Sequence, residues 1–300
     1  MNAVATERNH RPRQRASASL PYRFWIGLAL IACWWSIAWL QIRPFSDNYF
    51  FPLWLGYILA VDGLVLRRTG TSLIARSSWR CLYLFILSVP LWWIFEGLNQ
   101  VLNNWIYHLP EEYGDIGYTL RASLAFSTVI PAVMVTTELV STFQVNPLRK
   151  LPALVLGRGT LLGLHLLGWL MLIAVLTFPD HAFPLVWLAL FFLIDPVATD
   201  LGGRSVGSFL RNGDWSPVFN IAMGTLICGF FWELWNFYAL PKWTYSIPYA
   251  EFLHIFEMPL LGYGGYIPFG LEIFAFSALA AALLPELRLP GTKVSSIESN

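Results

Sequence analysis

Long apolar runs alternate with short polar segments along almost the whole chain. Eight such runs stand out, and most of them approach or exceed the roughly 20 residues that an α-helix needs to cross a bilayer. They lie at about 22–41, 51–66, 81–103, 121–143, 159–178, 183–199, 218–239 and 264–285. The pattern predicts an all-α polytopic membrane protein with eight transmembrane helices.

The composition agrees with a chain that lies in lipid. Of its 300 residues, 56% are hydrophobic and only 12% are charged, whereas a soluble domain carries about 25% charged residues. The formal net charge of +1 provides no basic surface for nucleic acid, so we exclude that class of partner. The lipid bilayer is the expected partner, and protein partners and cofactors stay open.

The charges of the connecting segments predict how the chain is oriented. Basic residues in short loops mark the cytoplasmic side of a membrane. Alternate segments carry Arg8, Arg11, Arg13, Arg15, Arg67, Arg68, Arg76, Arg80, Arg149, Lys150, Arg158, Arg204, Arg211, Arg288 and Lys293. The loops between them carry Asp47, Glu111, Glu112, Asp115, Asp180, Glu251 and Glu257. We therefore expect both termini in the cytoplasm, in a bacterial inner membrane.

Two sequence patterns of the first half recur in the second half. FPLWLGYILAVDGLVLRRTGTS (Phe51–Ser72) aligns with FPLVWLALFFLIDPVATDLGGRS (Phe183–Ser205) through similarly spaced Trp, Asp, Gly and Ser residues. WWIFEGLNQVLNNWIYHLP (Trp92–Pro110) aligns with FFWELWNFYALPKWTYSIP (Phe230–Pro248) through Glu-x-x-Asn and a Trp-x-Tyr-x-x-Pro tail. Each half has four spans and so returns the chain to its starting side, which predicts two parallel four-helix repeats.

The repeats and the loop charges together predict the domain organisation. Residues 1–20 form a cytoplasmic basic tail, and residues 146–158 form a cytoplasmic linker between the repeats. The first four-helix repeat covers residues 21–145, and the second covers residues 159–286. Residues 287–300 form a second cytoplasmic tail.

Carboxylates recur within or near the ends of the predicted spans. A charged side chain near the middle of a bilayer costs on the order of 3 kcal/mol unless it faces protein or water. Glu96 and Asn99, like Glu233 and Asn236, are three residues apart and share a helix face. Burial favours the neutral carboxyl, and the amide can donate to it, so we predict that these four residues are catalytic in proton transfer. The alternative is a polar clamp between helices of the two halves.

A second layer of acids lies deeper, toward the predicted cytoplasmic side. Asp62 and Asp195 occupy equivalent positions in the two repeats and are interpreted as a second acidic station for protons. The alternative is structural. Either aspartate could pair with Arg67, Arg68 or Arg204, or cap a helix at the boundary of the membrane.

The last predicted outer loop adds two more candidate groups. His254 and Glu257 are three residues apart, so on a helix they would share a face as acid and base. The same spacing would suit two metal ligands, although the metal reading lacks a second His and carboxylate cluster. We include both residues in the catalytic set and assign no metal site.

Aromatic residues surround the candidate acids. The chain has 15 Trp and 12 Tyr, and many of them fit the aromatic belts at membrane interfaces. Those near the Glu and Asn pairs are predicted to line an apolar cavity, where they would stabilise a carbocation by cation–π attraction. The predicted substrate-binding residues are Trp92, Trp93, Trp232, Trp235, Trp243, Tyr245 and Glu272.

Three functions remain open from the sequence. The HExxH, DDxxD and Walker patterns are absent from the sequence. In its duplicated bundle and intramembrane acids the chain resembles the fused membrane lycopene cyclases, but only in this outline, and no residue role is taken from them. The leading hypothesis is an enzyme that modifies an apolar isoprenoid or carotenoid-like lipid by Glu-mediated proton transfer. A proton-coupled transporter and an accessory or scaffold subunit that packs against pigments or partner helices are the alternatives.

Overall fold

The computed structural model describes residues 19–110, residues 113–284 and Val294. The predicted basic tail, 1–20, lies outside the described residues except for its last two positions. The predicted tail 287–300 lies outside them except for Val294, and the outer-loop acids Glu111 and Glu112 lie outside them as well. The fold of the described part is mostly helical.

The first half of the chain contains six helices and one strand among its described residues. In chain order they are α1 (Tyr22–Trp39), α2 (Phe50–Thr69), α3 (Leu73–Arg76), α4 (Ser78–Leu102), β1 (Trp105–His108), α5 (Asp115–Phe126) and α6 (Val129–Ser141). A short 3-10 helix, Phe45–Asn48, precedes α2.

The second half follows a similar order and adds a small hairpin. Its described elements are α7 (Arg158–Thr177), α8 (Pro179–Ala182), α9 (Val186–Asp200), α10 (Val206–Arg211), α11 (Ser216–Asn236), β2 (Lys242–Tyr245), β3 (His254–Ile255), β4 (Met258–Pro259) and α12 (Tyr266–Leu283). Two 3-10 helices, Phe183–Leu185 and Leu260–Gly265, lead into α9 and α12.

Among the described residues, seven helical segments are long and apolar enough to cross a membrane, and the chain is accordingly an integral membrane protein. They are Phe50–Thr69, Ser78–Leu102, Asp115–Ser141, Arg158–Thr177, Pro179–Asp200, Ser216–Asn236 and Leu260–Leu283. The first predicted span corresponds to α1, which has 18 residues and is not one of the seven. The count of eight spans therefore stays a prediction.

The predicted fourth span is broken in its middle, between α5 and α6. Pro131 has no N–H to donate to the carbonyl one turn earlier, which disfavours a continuous helix at this point. Ser88 of α4 compensates, since its Oγ donates to the Phe126 carbonyl at 2.5 Å and accepts from the Ile130 N–H at 3.1 Å. The backbone groups released by the break are thus satisfied within the protein, as the membrane interior requires.

The two halves pack their helices in corresponding ways. Helix α1 lies against α2 and α7 lies against α9, while α2 contacts α6 and α9 contacts α12. Glycines allow the first two pairs to approach closely: a Cβ at Gly27 would lie 2.5 Å from the Gly56 carbonyl oxygen, and one at Gly168 would lie 2.6 Å from the Leu193 nitrogen. These matched contacts agree with the predicted repeats, which stay a prediction.

Contacts between the halves run through the centre of the bundle. Helix α11 packs against α6, and α12 contacts α4, so helices of one half lie against helices of the other. The apolar core at this junction includes the fully buried side chains of Trp54, Phe95, Ile130 and Trp235.

A two-stranded antiparallel sheet also joins the halves, and the all-α prediction did not include it. Strands β1 and β2 pair with Trp105 opposite Tyr245, Ile106 opposite Thr244 and Tyr107 opposite Trp243. Aromatic and β-branched residues favour strands, and each Trp-x-Tyr segment follows a helix end. The arrangement is nearly symmetric, because the Trp of each strand faces the Tyr of the other. We call this end of the bundle the strand end.

Candidate functional site

A cavity of about 670 Å³ lies at the strand end, between the two halves. Its volume falls within the range of about 300–1,000 Å³ that is usual for small-molecule sites. Most of its wall is aromatic and comes from both halves, including Trp92, Trp105, Tyr107, Trp187, Trp232, Trp243, Tyr245, Tyr266 and Phe269. The site therefore suits a largely apolar ligand.

Glu96 lies directly behind the wall that the first half contributes. Its side chain is buried, and its Oε1 accepts three hydrogen bonds from groups that line the cavity. The donors are Trp92 Nε1 at 2.8 Å, Trp105 Nε1 at 3.1 Å and Tyr107 Oη at 2.7 Å. Two indoles and one phenol thus connect this carboxyl to the cavity.

Glu233 lies in the corresponding place behind the wall of the second half. It is 0% exposed, and its Oε1 accepts from Tyr245 Oη and Tyr266 Oη, each at 2.7 Å. Trp243 Nε1 donates to Tyr245 Oη at 2.8 Å. Glu233 Oε2 has no hydrogen-bond partner among the described residues. Two phenols therefore connect this carboxyl to the cavity.

The two strand tyrosines at this site hold their protons firmly. Burial raises the pKa of Tyr107 well above its usual value, and the neighbouring Glu96 raises it further. The pKa of Tyr245 is raised in the same direction by burial and then by Glu233. Both phenols are therefore protonated at neutral pH and act as hydrogen-bond donors to the carboxyls.

The asparagines do not donate to the glutamates, which corrects the expected hydrogen bond. Asn99 Nδ2 donates to the Trp105 carbonyl at 2.9 Å, and its Oδ1 accepts from the Asn104 N–H at 2.9 Å. Asn236 makes the matching pair with the Trp243 carbonyl and N–H, at 2.7 and 2.8 Å. A primary amide has both a donor and an acceptor, so it satisfies the strand backbone where a carboxyl could not. The asparagines hold the strands that carry the phenols.

The predicted aromatic wall is present in part. Trp92, Trp232, Trp243 and Tyr245 line the cavity. Trp93 instead donates to Ser123 Oγ at 3.0 Å. Trp235 packs in the core, with its ring centroid 5.0 Å from that of Trp54. Neither of these two indoles is among the described lining residues.

Glu272 was predicted to bind substrate, but it is not among the described residues of the cavity wall. Its side chain is 0% exposed on α12, and neither carboxyl oxygen has a hydrogen-bond partner among the described residues. Burial of a carboxyl without hydrogen bonds costs folding free energy. Glu272 thus differs from Glu138 of α6, whose carboxyl oxygens accept hydrogen bonds from Arg76 at 2.6 and 2.8 Å.

His254 and Glu257 do not share a helix face, because this loop forms the β3–β4 hairpin. His254 is exposed and lies 3.6 Å from Glu251, while Glu257 forms an ion pair with Lys242, a residue of the cavity rim. The two residues therefore do not form a joint acid and base pair in this structure. Within the described part of the chain, no group of three or more His, Cys, Asp and Glu residues could hold a metal.

Asp62 and Asp195 lie at the opposite end of the bundle from the cavity. Asp62 forms an ion pair with Arg23 at 2.6 Å, rather than with Arg67 or Arg68, and accepts from the Ile74 N–H at 2.9 Å. Asp195 accepts from the N–H groups of Val206 and Gly207, both at 2.8 Å. These hydrogen bonds hold the first turns of α3 and α10 and favour the capping alternative over a second acidic station.

Several residues of the site were not in the predicted set. Trp105 and Tyr107 belong to the repeated Trp-x-Tyr-x-x-Pro tail, so the repeat could have identified them. Trp187 and Tyr266 come from other helices, and only their position in the fold brings them to the cavity. Two polar atoms of residues in the wall, Asn104 Oδ1 and Trp232 Nε1, are buried and have no hydrogen-bond partner among the described residues.

A comparison of the chain with protein-family models, curated proteins and solved structures finds no significant match.

Proposed function

We propose that the protein is a membrane enzyme that binds an apolar isoprenoid or carotenoid-like lipid in the cavity and modifies it by proton transfer. One observation supports this proposal most strongly. The groups that line an aromatic cavity are hydrogen-bonded directly to two buried carboxyls, Glu96 and Glu233. A ligand in the cavity would therefore meet phenols that are each one hydrogen bond from a carboxyl.

The wall supports an unsaturated lipid as the ligand. Aromatic rings pack well against a flat polyene and attract a cation over their faces. Protonation of a carbon–carbon double bond forms a C–H bond from the π electron pair and leaves a carbocation, which the rings of Trp92, Trp105 and Trp232 would stabilise. Loss of a proton from a neighbouring carbon ends the reaction as an isomerisation or ring closure without any oxidant or reductant.

The proposal includes the orientation and architecture predicted from the sequence. Eight spans in two parallel repeats, with both termini in the cytoplasm of a bacterial inner membrane, would place the strand end on the outer side. An apolar lipid could then reach the cavity from the outer half of the bilayer. The matched packing of α1 on α2 and of α7 on α9 supports two repeats.

The other two functions have less support. A proton-coupled transporter needs proton sites along a path, but Asp62 and Asp195 are engaged by Arg23 and by the ends of α3 and α10. An accessory subunit would place aromatic surface against partners, whereas the aromatic residues of the site line a cavity between the halves.

The test is deuterium transfer from solvent to a lipid. The purified protein in nanodiscs is incubated in D₂O with lycopene or squalene as linear polyene probes, and the recovered lipid is analysed by mass spectrometry. Reversible proton transfer introduces deuterium even when no net product accumulates. We expect incorporation with the native chain and a loss of about 100-fold or more when Glu96 and Glu233 are both changed to Gln. Binding of a probe without any deuterium transfer would rule out the proposed chemistry.

A further inference from the structure

The two halves hold their carboxyls with different donors. In the first half, Trp92 lies one helical turn before Glu96 and donates its indole N–H to it. In the second half, the residue one turn before Glu233 is Gly229, which has no side chain to donate. Tyr266 of α12 donates to Glu233 instead. The donor from the same helix has been replaced by a donor from another helix.

Gly229 provides the space that Tyr266 occupies. A Cβ at position 229 would lie 2.5 Å from Cε2 of the Tyr266 ring and 2.8 Å from its Cγ, closer than real Cβ contacts allow. The position that matches Tyr266 in the first half is Val129, because an Ile-Pro dipeptide follows each of them directly. The first half thus combines Trp92 with Val129, and the second combines Gly229 with Tyr266.

This exchange of large and small residues changes the chemistry of the donor. An indole N–H donates a hydrogen bond but does not exchange its proton with a carboxyl near neutral pH, whereas a phenol can pass a proton on. Glu233 is held by two phenols, and among the described residues it has no ion-pair partner. Its Oε2 is buried without a hydrogen-bond partner among the described residues, so the described groups that can exchange a proton with Glu233 are the two phenols at Oε1.

We propose that only the second half transfers protons to the ligand: Tyr266 is the catalytic residue that meets the lipid, and Glu233 supplies its proton. Glu96 is a positioning residue that orients the aromatic wall. This inference rests on the proposed function and specifies which of the two carboxyls does the chemistry. Tyr245 shares Glu233 Oε1 with Tyr266 and holds the carboxyl in place.

The step is balanced in atoms and electrons. The Tyr266 O–H proton adds to one carbon of a double bond, whose π pair forms the new C–H bond. In the same step the neutral Glu233 carboxyl donates its proton to the Tyr266 oxygen, with which its Oε1 is hydrogen-bonded, so Tyr266 stays a phenol and Glu233 becomes a carboxylate. When a neighbouring carbon loses its proton, that proton returns through the Tyr266 oxygen to Glu233, and the site is restored.

The experiment compares single variants in the deuterium assay described above. Tyr266→Phe removes the hydroxyl and keeps the ring, so we expect a rate at least about 100-fold lower, with lipid binding unchanged. Binding is followed by quenching of tryptophan fluorescence by lycopene. Tyr107→Phe, at the first carboxyl, is expected to lower the rate by no more than about tenfold, because its loss disturbs only the wall. Tyr57→Phe serves as the control, since this buried phenol donates to or accepts from Thr136 and does not line the cavity.

A second pair of variants tests the role of the glycine. Gly229→Ala displaces the Tyr266 ring while it preserves every hydroxyl. We expect it to lower the rate of deuterium transfer, as Tyr266→Phe does. Gly97→Ala is the control, because Gly97 directly follows the buried Glu96 and a Cβ there would meet no atom within 4 Å. It should leave the rate unchanged.

The outcomes separate the two proposals. Two results would contradict the assignment to the second half while the proposed function stands. In both, the native chain transfers deuterium. In the first, Tyr266→Phe does so at the native rate, and in the second, Tyr107→Phe lowers the rate as much as Tyr266→Phe does. If the native chain binds the polyene and transfers no deuterium, both proposals fail. A selective loss in Tyr266→Phe and Gly229→Ala, with binding preserved, supports both.

Discussion

Buried acids of this protein occupy environments that the residue type does not reveal. Asp62 has a guanidinium partner, Asp195 has backbone N–H partners, and Glu233 has phenols. Glu272 has no hydrogen-bond partner among the described residues. The roles follow from these partners, because Asp62 and Asp195 hold the ends of short helices, whereas Glu233 lies behind the cavity wall.

The role of Asp195 can be tested by replacing one of its carboxylate oxygens with an amide nitrogen. Asp195→Asn replaces one acceptor by an NH₂ group that faces a backbone N–H of α10, so we expect the free energy of unfolding to fall by about 1–3 kcal/mol. The measurement is unfolding in mild detergent by SDS titration. Deuterium transfer to a polyene should not change.

The control is Asp200→Asn in the same helix, where the ion pair with Arg158 is exposed and should contribute at most about 1 kcal/mol. Native stability together with lost proton transfer would restore the second acidic station.

The sequence identified the buried acids but not their partners. Glu96 and Glu233 were identified because a carboxylate in an apolar run needs an explanation. Their donors come from strands and from α12, and the asparagines at the expected spacing bond to the strand backbone instead. A helical spacing shows which side chains share a face, but it does not show which groups from elsewhere in the chain approach that face.

Helices in this bundle approach one another most closely where a glycine removes the side chain between them. Gly168 of α7 lies against the backbone of α9, and Gly27 and Gly56 perform the same role between α1 and α2. In lipid, where helix association gains little from the hydrophobic effect, such close packing stabilises the pair. The short element α3 and its counterpart α10 depend on the caps provided by Ser72 and Ser205.

Two glycines of one helix provide a matched test of this packing. Gly168→Ala would place a Cβ 2.6 Å from the backbone nitrogen of Leu193, which cannot move without displacing α9, so we expect a loss of about 1–3 kcal/mol in unfolding free energy. Gly163→Ala meets no atom within 4 Å and should keep or slightly raise the stability. Thermal unfolding in detergent, followed by circular dichroism, measures both. Equal stability of the two variants would contradict the close approach of α7 and α9.

The helices agree with the apolar pattern to within a few residues, whereas the irregular elements do not follow from it. The run 159–178 corresponds to Arg158–Thr177, and the run 218–239 to Ser216–Asn236. The break between α5 and α6 depends on Ser88 from another helix, and β1 exists only because β2 pairs with it. Such elements are stabilised by groups distant in sequence, which a local periodicity cannot record.

The molecule as a whole places its proposed reaction site where the two halves meet. Strands β1 and β2 come from different halves, and both halves contribute rings to the cavity. Neither half alone would enclose the ligand. A duplicated bundle therefore gains at its junction a cavity with two carboxyls, and the exchange at Gly229 and Tyr266 allows the two to differ in chemistry.

A disulfide across the sheet tests this junction. Ile106 and Thr244 lie directly opposite each other in the antiparallel pair, where Cα atoms are about 4.5–5.5 Å apart and within reach of a disulfide. Ile106→Cys with Thr244→Cys, in a Cys33→Ser background and with a protease site in the linker 146–158, should keep the two halves joined after cleavage without reductant. The diagonal pair Ile106→Cys with Lys242→Cys, about 7–8 Å apart, should cross-link far less. Equal cross-linking of both pairs would show that this register is wrong.

The sequence by itself determined that the chain lies in a membrane, where most of its helices run and which polar residues need an explanation there. These properties depend on local composition and length, because lipid imposes the same requirement on every span. Only the tertiary structure decided which groups surround each acid, that a sheet joins the halves and that a cavity lies between them. Those features depend on contacts between residues far apart in the chain. Gly229, at the position that Trp92 occupies in the first half, is an example: its effect appears only in the fold, where Tyr266 of another helix fills the space.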